Sequence, residues 1–246
     1  MKYTLFSLVI AATIAGCGGG DSGGSSSNST DGGTGGSSST SGHGLDGIYL
    51  NSTDLAILLI DTDLPTQSVF FSSFESSSSS VLINDTHSIS GNTITTKGAT
   101  LSFSGTYSHD ANLETKIDVT DDGATMRGVI NNTNFIFSFE RTQGSAPLAD
   151  IVGIYTNPDD ASVWTINSDS TFTVVGTCLV SGTLKQVKHY YTADNVETSN
   201  CIADSLNATD YKAHIVTVEQ FGIKYLLAVL TNDSVVMWGS TPLFPE

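Results

Sequence analysis

Positive charge is scarce in this sequence. Its 246 residues include 9 Lys and Arg against 25 Asp and Glu, so the formal net charge at pH 7 is −16. Binding to nucleic acid requires a basic surface that releases counterions from phosphates, and so few scattered cations cannot form one. The same shortage argues against charge-driven docking on anionic lipid. The composition therefore excludes nucleic acid as a partner.

The apolar run at the N-terminus is too short to span a bilayer. It extends from Leu5 to Ala15, is interrupted by Ser7 and Thr13, and follows Lys2. A membrane-spanning helix needs about 20 apolar residues. The run is instead typical of the hydrophobic region of a signal peptide.

The end of this run and the two residues after it, Ile14-Ala15-Gly16-Cys17, resemble the lipobox of bacterial lipoproteins. The resemblance implies that residues 1–16 are a lipoprotein signal peptide and that Cys17 becomes the lipidated first residue of the mature chain. Three acyl chains on Cys17 would hold the protein far more strongly than one. Gly18, rather than Asp, comes next, which in the sorting rule of that family implies the bacterial outer membrane. The face of that membrane stays open.

Residues 17–43 are expected to form the lipidated cysteine and a flexible linker. From Gly18 to His43 there are 26 residues, of which 10 are Gly and 9 are Ser. Such a segment cannot bury enough apolar surface to offset its chain entropy. A flexible coil of this length reaches roughly 25–30 Å, enough to hold a folded part clear of the lipid headgroups.

An internal echo divides the rest of the chain. Leu45-Asp46-Gly47-Ile48-Tyr49-Leu50-Asn51 reappears as Ile151-Val152-Gly153-Ile154-Tyr155-Thr156-Asn157. Each copy is followed by acidic turn residues and an apolar run, and Gln143 to Pro147 is a natural connector. The echo predicts two related domains, at 44–144 and 147–246.

Period-two alternation, rather than helical periodicity, dominates both halves. Leu101, Phe103 and Tyr107 are expected to share one face, as are Phe135, Phe137 and Phe139, while turn residues separate the runs. The runs Ile223 to Leu230 and Val235 to Trp238 are continuously apolar, as in strands buried on both faces. The pattern predicts an all-β chain with two tandem antiparallel domains, and leaves barrel and sandwich as alternatives.

The opening of each half is similar to that of small lipocalin-like barrels. In lipocalins a Gly-x-Trp sequence begins the first strand, and here the aromatic residue is Tyr49 or Tyr155. The resemblance covers these openings and the general rhythm of the strands, and it leaves barrel and sandwich open.

Cysteine is also scarce. With Cys17 assigned to lipid, Cys178 and Cys201 remain, and in an exported protein the simplest use of such a pair is a structural disulfide. A redox-active pair would favour Cys-x-x-Cys spacing and a zinc site would need further ligands at fixed spacing. The sequence thus predicts a bridge between Cys178 and Cys201.

Strand aromatics are the candidate ligand-binding residues. Tyr49, Tyr155, Trp164 and Trp238 could line a cavity or stack on a sugar or apolar ligand, whereas core packing is the alternative role. His189, close to Lys185 and Lys188, could meet an anionic ligand, but we expect a solvated strand edge there.

Catalytic and metal-binding patterns are not found in the sequence. The five histidines never fall in His-x-His or His-Glu-x-x-His spacing, and the acidic pairs, such as Asp61 with Asp63, lack a calcium-loop frame. We therefore predict no catalytic residue, no metal and no cofactor, and expect the acidic pairs to serve in turns.

These features predict a lipid-anchored envelope protein that acts as a non-catalytic binding or interaction module. Its expected partners are the membrane, through the lipid, and a small apolar or glycan ligand or an envelope protein. Two alternatives are a hydrolase acting on envelope glycans and a structural or surface-assembly component that uses sheet edges.

Overall fold

The computed structural model describes residues 44–73, 80–103 and 106–244. The signal peptide, Cys17 and the linker that the sequence predicts lie outside the described residues. The regular elements in the described part of the chain are seventeen strands and two short 3₁₀ turns, Leu148–Asp150 and Asp204–Leu206. No helix in these residues is long and apolar enough to cross a bilayer.

The first eight strands form a closed barrel in which every strand pairs antiparallel with its sequence neighbours. They are β1 (Gly47–Asn51), β2 (Ala56–Ile60), β3 (Val69–Ser73), β4 (Ser80–Ser90), β5 (Thr93–Phe103), β6 (Thr106–Val119), β7 (Gly123–Ile130) and β8 (Thr133–Arg141). The ring closes where Tyr49 and Leu50 of β1 pair with Arg141 and Glu140 of β8.

The other nine strands form a second antiparallel sheet. They are β9 (Gly153–Thr156), β10 (Val163–Ile166), β11 (Thr171–Val175), β12 (Leu179–Thr183), β13 (Lys185–Val187), β14 (Tyr190–Ser199), β15 (Ala208–Gln220), β16 (Ile223–Thr231) and β17 (Val236–Pro242). The spatial order is β17-β16-β15-β14-β12-β11-β10-β9, with β13 paired to β14. The sheet curls so that Asn157, after β9, donates from Nδ2 to the carbonyl of Ser240 on β17 at 2.8 Å. We call this barrel-like sheet the second barrel.

The all-β prediction of two tandem antiparallel domains is confirmed, and the architecture is barrel-like rather than sandwich-like. Each barrel has its own apolar core. That of the first contains Leu58, Phe71, Ile94, Ile117 and Met126, and Phe135, Phe137 and Phe139 all pack on it from β8, as their spacing predicts. That of the second contains Ile166, Phe172, Val196, Tyr211 and Leu226.

A third apolar cluster joins the two barrels, and we call it the inter-barrel layer. It combines outward-facing residues of both sheets: Ile48, Leu50, Ile57, Leu59, Phe70, Val81 and Ile83 from the first, and Tyr190, Val216, Val218, Leu227, Val229 and Val236 from the second. On β2, Leu58 and Ile60 face the barrel core while Ile57 and Leu59 face this layer. The layer explains why some strands are apolar on both faces. Residues 41–246 accordingly form one compact unit.

The connector predicted between the halves, with the residue before it, is hydrogen-bonded to both barrels. Thr142 N–H donates to the carbonyl of Ile48 on β1 at 2.8 Å, and Ser145 N–H donates to the carbonyl of His189 at 2.7 Å. Ala146 N–H reaches the Thr217 hydroxyl on β15 at 2.7 Å, and the Tyr191 hydroxyl donates to the carbonyl of Ala146 at 2.7 Å. The chain therefore passes between the barrels along a fixed path.

Candidate functional site

One end of the first barrel holds an apolar cavity of about 480 Å³, which we call the mouth cavity. Its apolar lining includes Phe71, Val81, Leu82, Leu101, Met126, Ile130 and Phe135, and its polar lining includes Ser80, Ser102, Ser108 and Asn131. Among the described residues that line it, none carries a charge. Its volume lies within the range of about 300–1,000 Å³ typical of small-molecule sites.

The strand register explains why space remains at this end. Phe71, Leu82 and Leu101 are paired in a row across β3, β4 and β5, and the row ends on β6 at Ser108, a small residue. Pairing between β6 and β7 stops at Thr115 and Gly128, so the barrel wall is not paired there beyond that point. Small side chains and an unpaired strand segment therefore leave room that a packed core would fill.

Phe71 and Phe135, which line the mouth cavity, belong to a row of contacting phenylalanines. The Phe71 ring lies 5.0 Å from that of Phe137 and 6.2 Å from that of Phe139, and the rings of Phe135 and Phe137 are 6.0 Å apart. These are tilted or edge-to-face contacts, the arrangement that aromatic quadrupoles favour. An uncharged apolar or aromatic ligand could extend the row outward.

A smaller cavity, of about 140 Å³, lies in the second barrel and we call it the Trp cavity. Trp164 and Trp238, both candidate ligand-binding residues from the sequence, line it together with Phe172, Leu230 and Met237. Trp164 Nε1 donates to the Ser162 hydroxyl at 3.1 Å, so its polar atom is satisfied within the protein. The indole therefore presents its apolar surface to the cavity.

The other two candidate aromatics are core residues with equivalent positions in the two barrels. The Tyr49 hydroxyl donates to the carbonyl of Leu45 at 2.7 Å, and the Tyr155 hydroxyl donates to that of Val152 at 3.2 Å. Burial raises the pKa of Tyr49 to about 12, partly opposed by the nearby Arg141 guanidinium, which lies 4.8 Å from its ring centre. A ligand role for these two tyrosines stays a prediction.

In each copy of the repeated sequence, a side chain on the glycine would crowd the tyrosine two residues later. A Cβ on Gly153 would lie 2.7 Å from the Tyr155 hydroxyl oxygen, and one on Gly47 would lie 3.3 Å from the Tyr49 ring. Each tyrosine thus folds back over the residue two positions before it. The Gly-x-Tyr pattern marks a tyrosine that ties the first strand to the preceding loop.

An ionic cluster of Asp46, Asp61, Asp63 and Lys188 lies between the barrels. Lys188 Nζ is 2.7 Å from carboxylate oxygens of both Asp46 and Asp63, and it also contacts Asp61. The Tyr190 hydroxyl donates to the other oxygen of Asp61 at 2.8 Å. Lys185 and Lys188 are exposed residues, as a solvated strand edge requires, but the Lys188 ammonium group also binds aspartates of the first barrel. Sequence spacing could not predict this cluster, because Lys188 is more than 120 residues from the aspartates that it binds.

The electrostatics of the ionic cluster suit a structural role. Burial opposes ionisation of Lys188, but hydrogen bonds to the three aspartates outweigh it and raise its pKa. Burial likewise acts to raise the pKa of Asp46, but Lys188 and Thr62 overcome this effect and hold that pKa below its usual value. Carboxylate oxygens of the three aspartates lie within 4.8 Å of one another, a spacing suited to a cation, and the Lys188 ammonium lies among them.

A serine–histidine pair occurs at the end of the first barrel opposite the mouth cavity. Ser68 Oγ and His87 Nδ1 are 2.9 Å apart, and Asn84 Nδ2 donates to the same serine oxygen at 3.1 Å. A catalytic serine must be reachable by substrate. The Ser68 side chain is fully buried, at 0% exposure, so this arrangement satisfies buried polar atoms instead.

The structure contains the predicted bridge between Cys178 and Cys201. It links the β11–β12 loop to the segment that follows β14, and Ile202 N–H donates to the carbonyl of Thr177 beside it at 3.1 Å. Cys178 also borders the Trp cavity, so the bridge fixes part of that cavity's rim. No protein family model, no curated protein and no solved structure matches this chain.

Proposed function

We propose that this protein is a lipid-anchored, outer-membrane envelope protein that binds a small uncharged ligand without transforming it. The observation that carries the proposal is the mouth cavity, which is mainly apolar, includes Phe71 and Phe135, and has no charged residue among the described residues that line it. A barrel that was only structural would fill this volume with side chains. The lipocalin-like opening of each half and the lipobox-like Ile14 to Cys17 support the same interpretation.

The mouth cavity also constrains the ligand. Its polar atoms are serine hydroxyls and one asparagine amide, which donate and accept hydrogen bonds but carry no charge. A ligand with a buried charge would leave that charge uncompensated in an apolar site, at a cost of several kcal/mol. We therefore propose a neutral, mainly apolar or aromatic molecule with one or two hydroxyl or carbonyl groups.

The hydrolase alternative receives less support from the carboxylates. Glycosidases pair a carboxylate with a carboxylic acid whose pKa is raised. In the ionic cluster, where three acids of the described chain come together, the pKa of Asp46 is lowered and Asp61 is bonded to both Lys188 and Tyr190. These groups are engaged in holding the barrels together.

The assembly alternative has one specific observation in its favour. Ile154 on β9 and Val175 on β11 are 51% and 55% exposed, and Ile202 beside the disulfide is 85% exposed. Exposed apolar groups on one sheet can mark a protein contact. An Ile202→Lys and Val175→Lys double variant that loses pull-down of an envelope partner, while keeping ligand binding, would favour this second function.

Binding in the mouth cavity can be tested with N-phenyl-1-naphthylamine, an uncharged dye whose emission rises in an apolar site. Phe135 lines the cavity, whereas its neighbour Ile136 is 67% exposed on the outer face of the same strand. We expect saturable binding that Phe135→Arg weakens by about tenfold or more, equivalent to at least 1.4 kcal/mol, and that Ile136→Arg leaves unchanged. Absence of saturable binding, or equal binding by both variants, would refute the site.

The anchor can be tested separately. Cys17→Ser removes the thiol that would accept the lipid, so we expect the protein to leave the detergent phase and to accumulate as soluble or uncleaved chain. A Ser22→Ala variant in the linker serves as the control. Unchanged detergent partitioning of Cys17→Ser would refute the lipoprotein proposal and leave the ligand proposal standing.

A further inference from the structure

The Trp cavity brings together both tryptophans of the chain, which contains two in total. Trp164 lies on β10, the strand next to the edge strand β9, and Trp238 lies on the other edge strand, β17. A Cβ on Gly239 would lie 3.2 Å from the Trp164 ring, so the indole is seated against the backbone of β17. Because Gly239 has no side chain, the Trp164 ring can lie against β17, and both residues line the cavity.

The size and lining of the Trp cavity suit one small apolar group. Its volume of about 140 Å³ is close to the ~150 Å³ of apolar cavities that stay free of water and bind benzene or xenon. Phe172, Val174, Val180, Leu230 and Met237 contribute apolar surface. Since Trp164 Nε1 is already bonded to Ser162, an occupant need not supply a hydrogen-bond acceptor to the indole.

The rim of the Trp cavity is fixed and polar. Gly176 N–H donates to the carbonyl of Cys178 at 2.9 Å in the tight β11–β12 loop, and the disulfide ties that loop to Cys201. Asp160, an exposed residue, also lines the cavity and accepts a hydrogen bond from Ser162 N–H at 2.9 Å. A carboxylate there repels anions, so an anionic ring is disfavoured at the entrance.

We propose that the Trp cavity is a second ligand site, which binds one uncharged ring of about benzene size, either as a small molecule or as the terminal group of a larger one. The site is separate from the mouth cavity, which lies in the other barrel and contains no tryptophan among its lining residues. The class of ligand follows from volume, apolar lining and the acidic rim. The two sites are independently testable because both tryptophans line the Trp cavity and neither lines the mouth cavity.

The test uses the oxidised full-length chain carrying Cys17→Ser, so that neither lipid nor detergent absorbs the probe. Iodobenzene quenches tryptophan through its iodine atom on contact, and benzene competes for the same space without quenching. Val174 lines the cavity on β11, whereas its neighbour Val175 is 55% exposed on the opposite face. The variants Val174→Phe and Val175→Phe add the same ring to the inside and the outside of the same strand.

We expect quenching that saturates with iodobenzene, is reversed by benzene, weakens about tenfold or more in Val174→Phe and is unchanged in Val175→Phe. A second variant, Met237→Ala, enlarges the cavity and should extend saturable quenching to 1-iodonaphthalene, which keeps the test decisive if Val174→Phe fails to fold. Quenching that rises linearly with concentration, or that both Phe variants retain, would overturn the proposal. Neither result bears on dye binding in the mouth cavity.

Discussion

Lys188, in the turn between β13 and β14, donates from Nζ to Asp46 Oδ2 at 2.7 Å and so links the second barrel to the residue before β1. The same ammonium group contacts Asp61, whose side chain is 4% exposed. One lysine therefore compensates carboxylates that would otherwise repel one another between the barrels. Among the described residues, Lys188 is therefore the cation that forms the ion pairs between the two barrels.

Replacing Lys188 with Met should destabilise the protein by about 3 kcal/mol, because the change leaves buried Asp61 without its cation. Lys185, on β13 and exposed, provides a matched control, and Lys185→Met should change stability little. Urea unfolding followed by circular dichroism measures both. Equal midpoints for the two variants would contradict the role assigned to Lys188.

His214 should make the protein sensitive to moderate acid. Its ring lies in contact with Phe70, with centroids 3.9 Å apart, and stacks on Tyr190, and its buried Nδ1 has no hydrogen-bond partner among the described residues. Burial lowers the pKa of His214 to about 4, assisted by Lys212 and opposed by Asp61. The unfolded chain therefore binds a proton more readily than the folded one between about pH 6.5 and pH 4.

The consequence is a loss of stability as the pH falls through that window, reaching about 3 kcal/mol below pH 4. A His214→Phe variant should flatten the dependence of the unfolding midpoint on pH between 6.5 and 4. Identical slopes for His214→Phe and the wild type would show that other groups control the acid response.

Gly153→Ala should cost about 1–3 kcal/mol, because the new methyl group would force the Tyr155 ring out of its place against the backbone. Gly44→Ala is the control, since nothing lies within 4 Å of the corresponding position. Thermal unfolding of the two variants provides the comparison. A Gly153→Ala protein as stable as Gly44→Ala would mean that the tyrosine position is not the reason for the glycine.

Loss of the Cys178–Cys201 bridge should destabilise the protein by about 3 kcal/mol, since the bridge closes a segment with a sequence separation of 23. A Cys178→Ala, Cys201→Ala double variant avoids free thiols. We expect its amide protection against hydrogen exchange to fall first in the β11–β12 loop and after β14. A uniform fall across both barrels would instead indicate that the bridge supports the whole unit.

Local pattern was sufficient to predict strands and some of their faces. The alternation of Phe135, Phe137 and Phe139 predicted an inward face, and the structure confirms it. The same counting failed between Leu101 and Tyr107, which lie on different strands. Tyr107 pairs with Ser102 whereas Leu101 pairs with Ser108, so Leu101 and Tyr107 lie on opposite faces of the sheet. Period-two spacing holds within a strand and is lost across a hairpin.

The sites were less accessible to sequence reasoning. Trp164 and Trp238 were identified as candidates and do line one cavity, although nothing in the sequence indicated that β10 and β17 meet. The mouth cavity was missed because it depends on where pairing between β6 and β7 ends, at Thr115 and Gly128. Long-range register of this kind is determined by the assembled barrel rather than by neighbouring residues.

Because of the inter-barrel layer, we expect the two barrels to fold stably only when both are present in the same chain. Each barrel shields an apolar face of the other, so either half alone would present residues such as Phe70 or Leu227 to water. The repeated openings at Gly47 and Gly153 suggest two interchangeable modules. The packing makes the two barrels depend on each other, because a substitution in the contact face of one barrel changes what the contact face of the other barrel packs against.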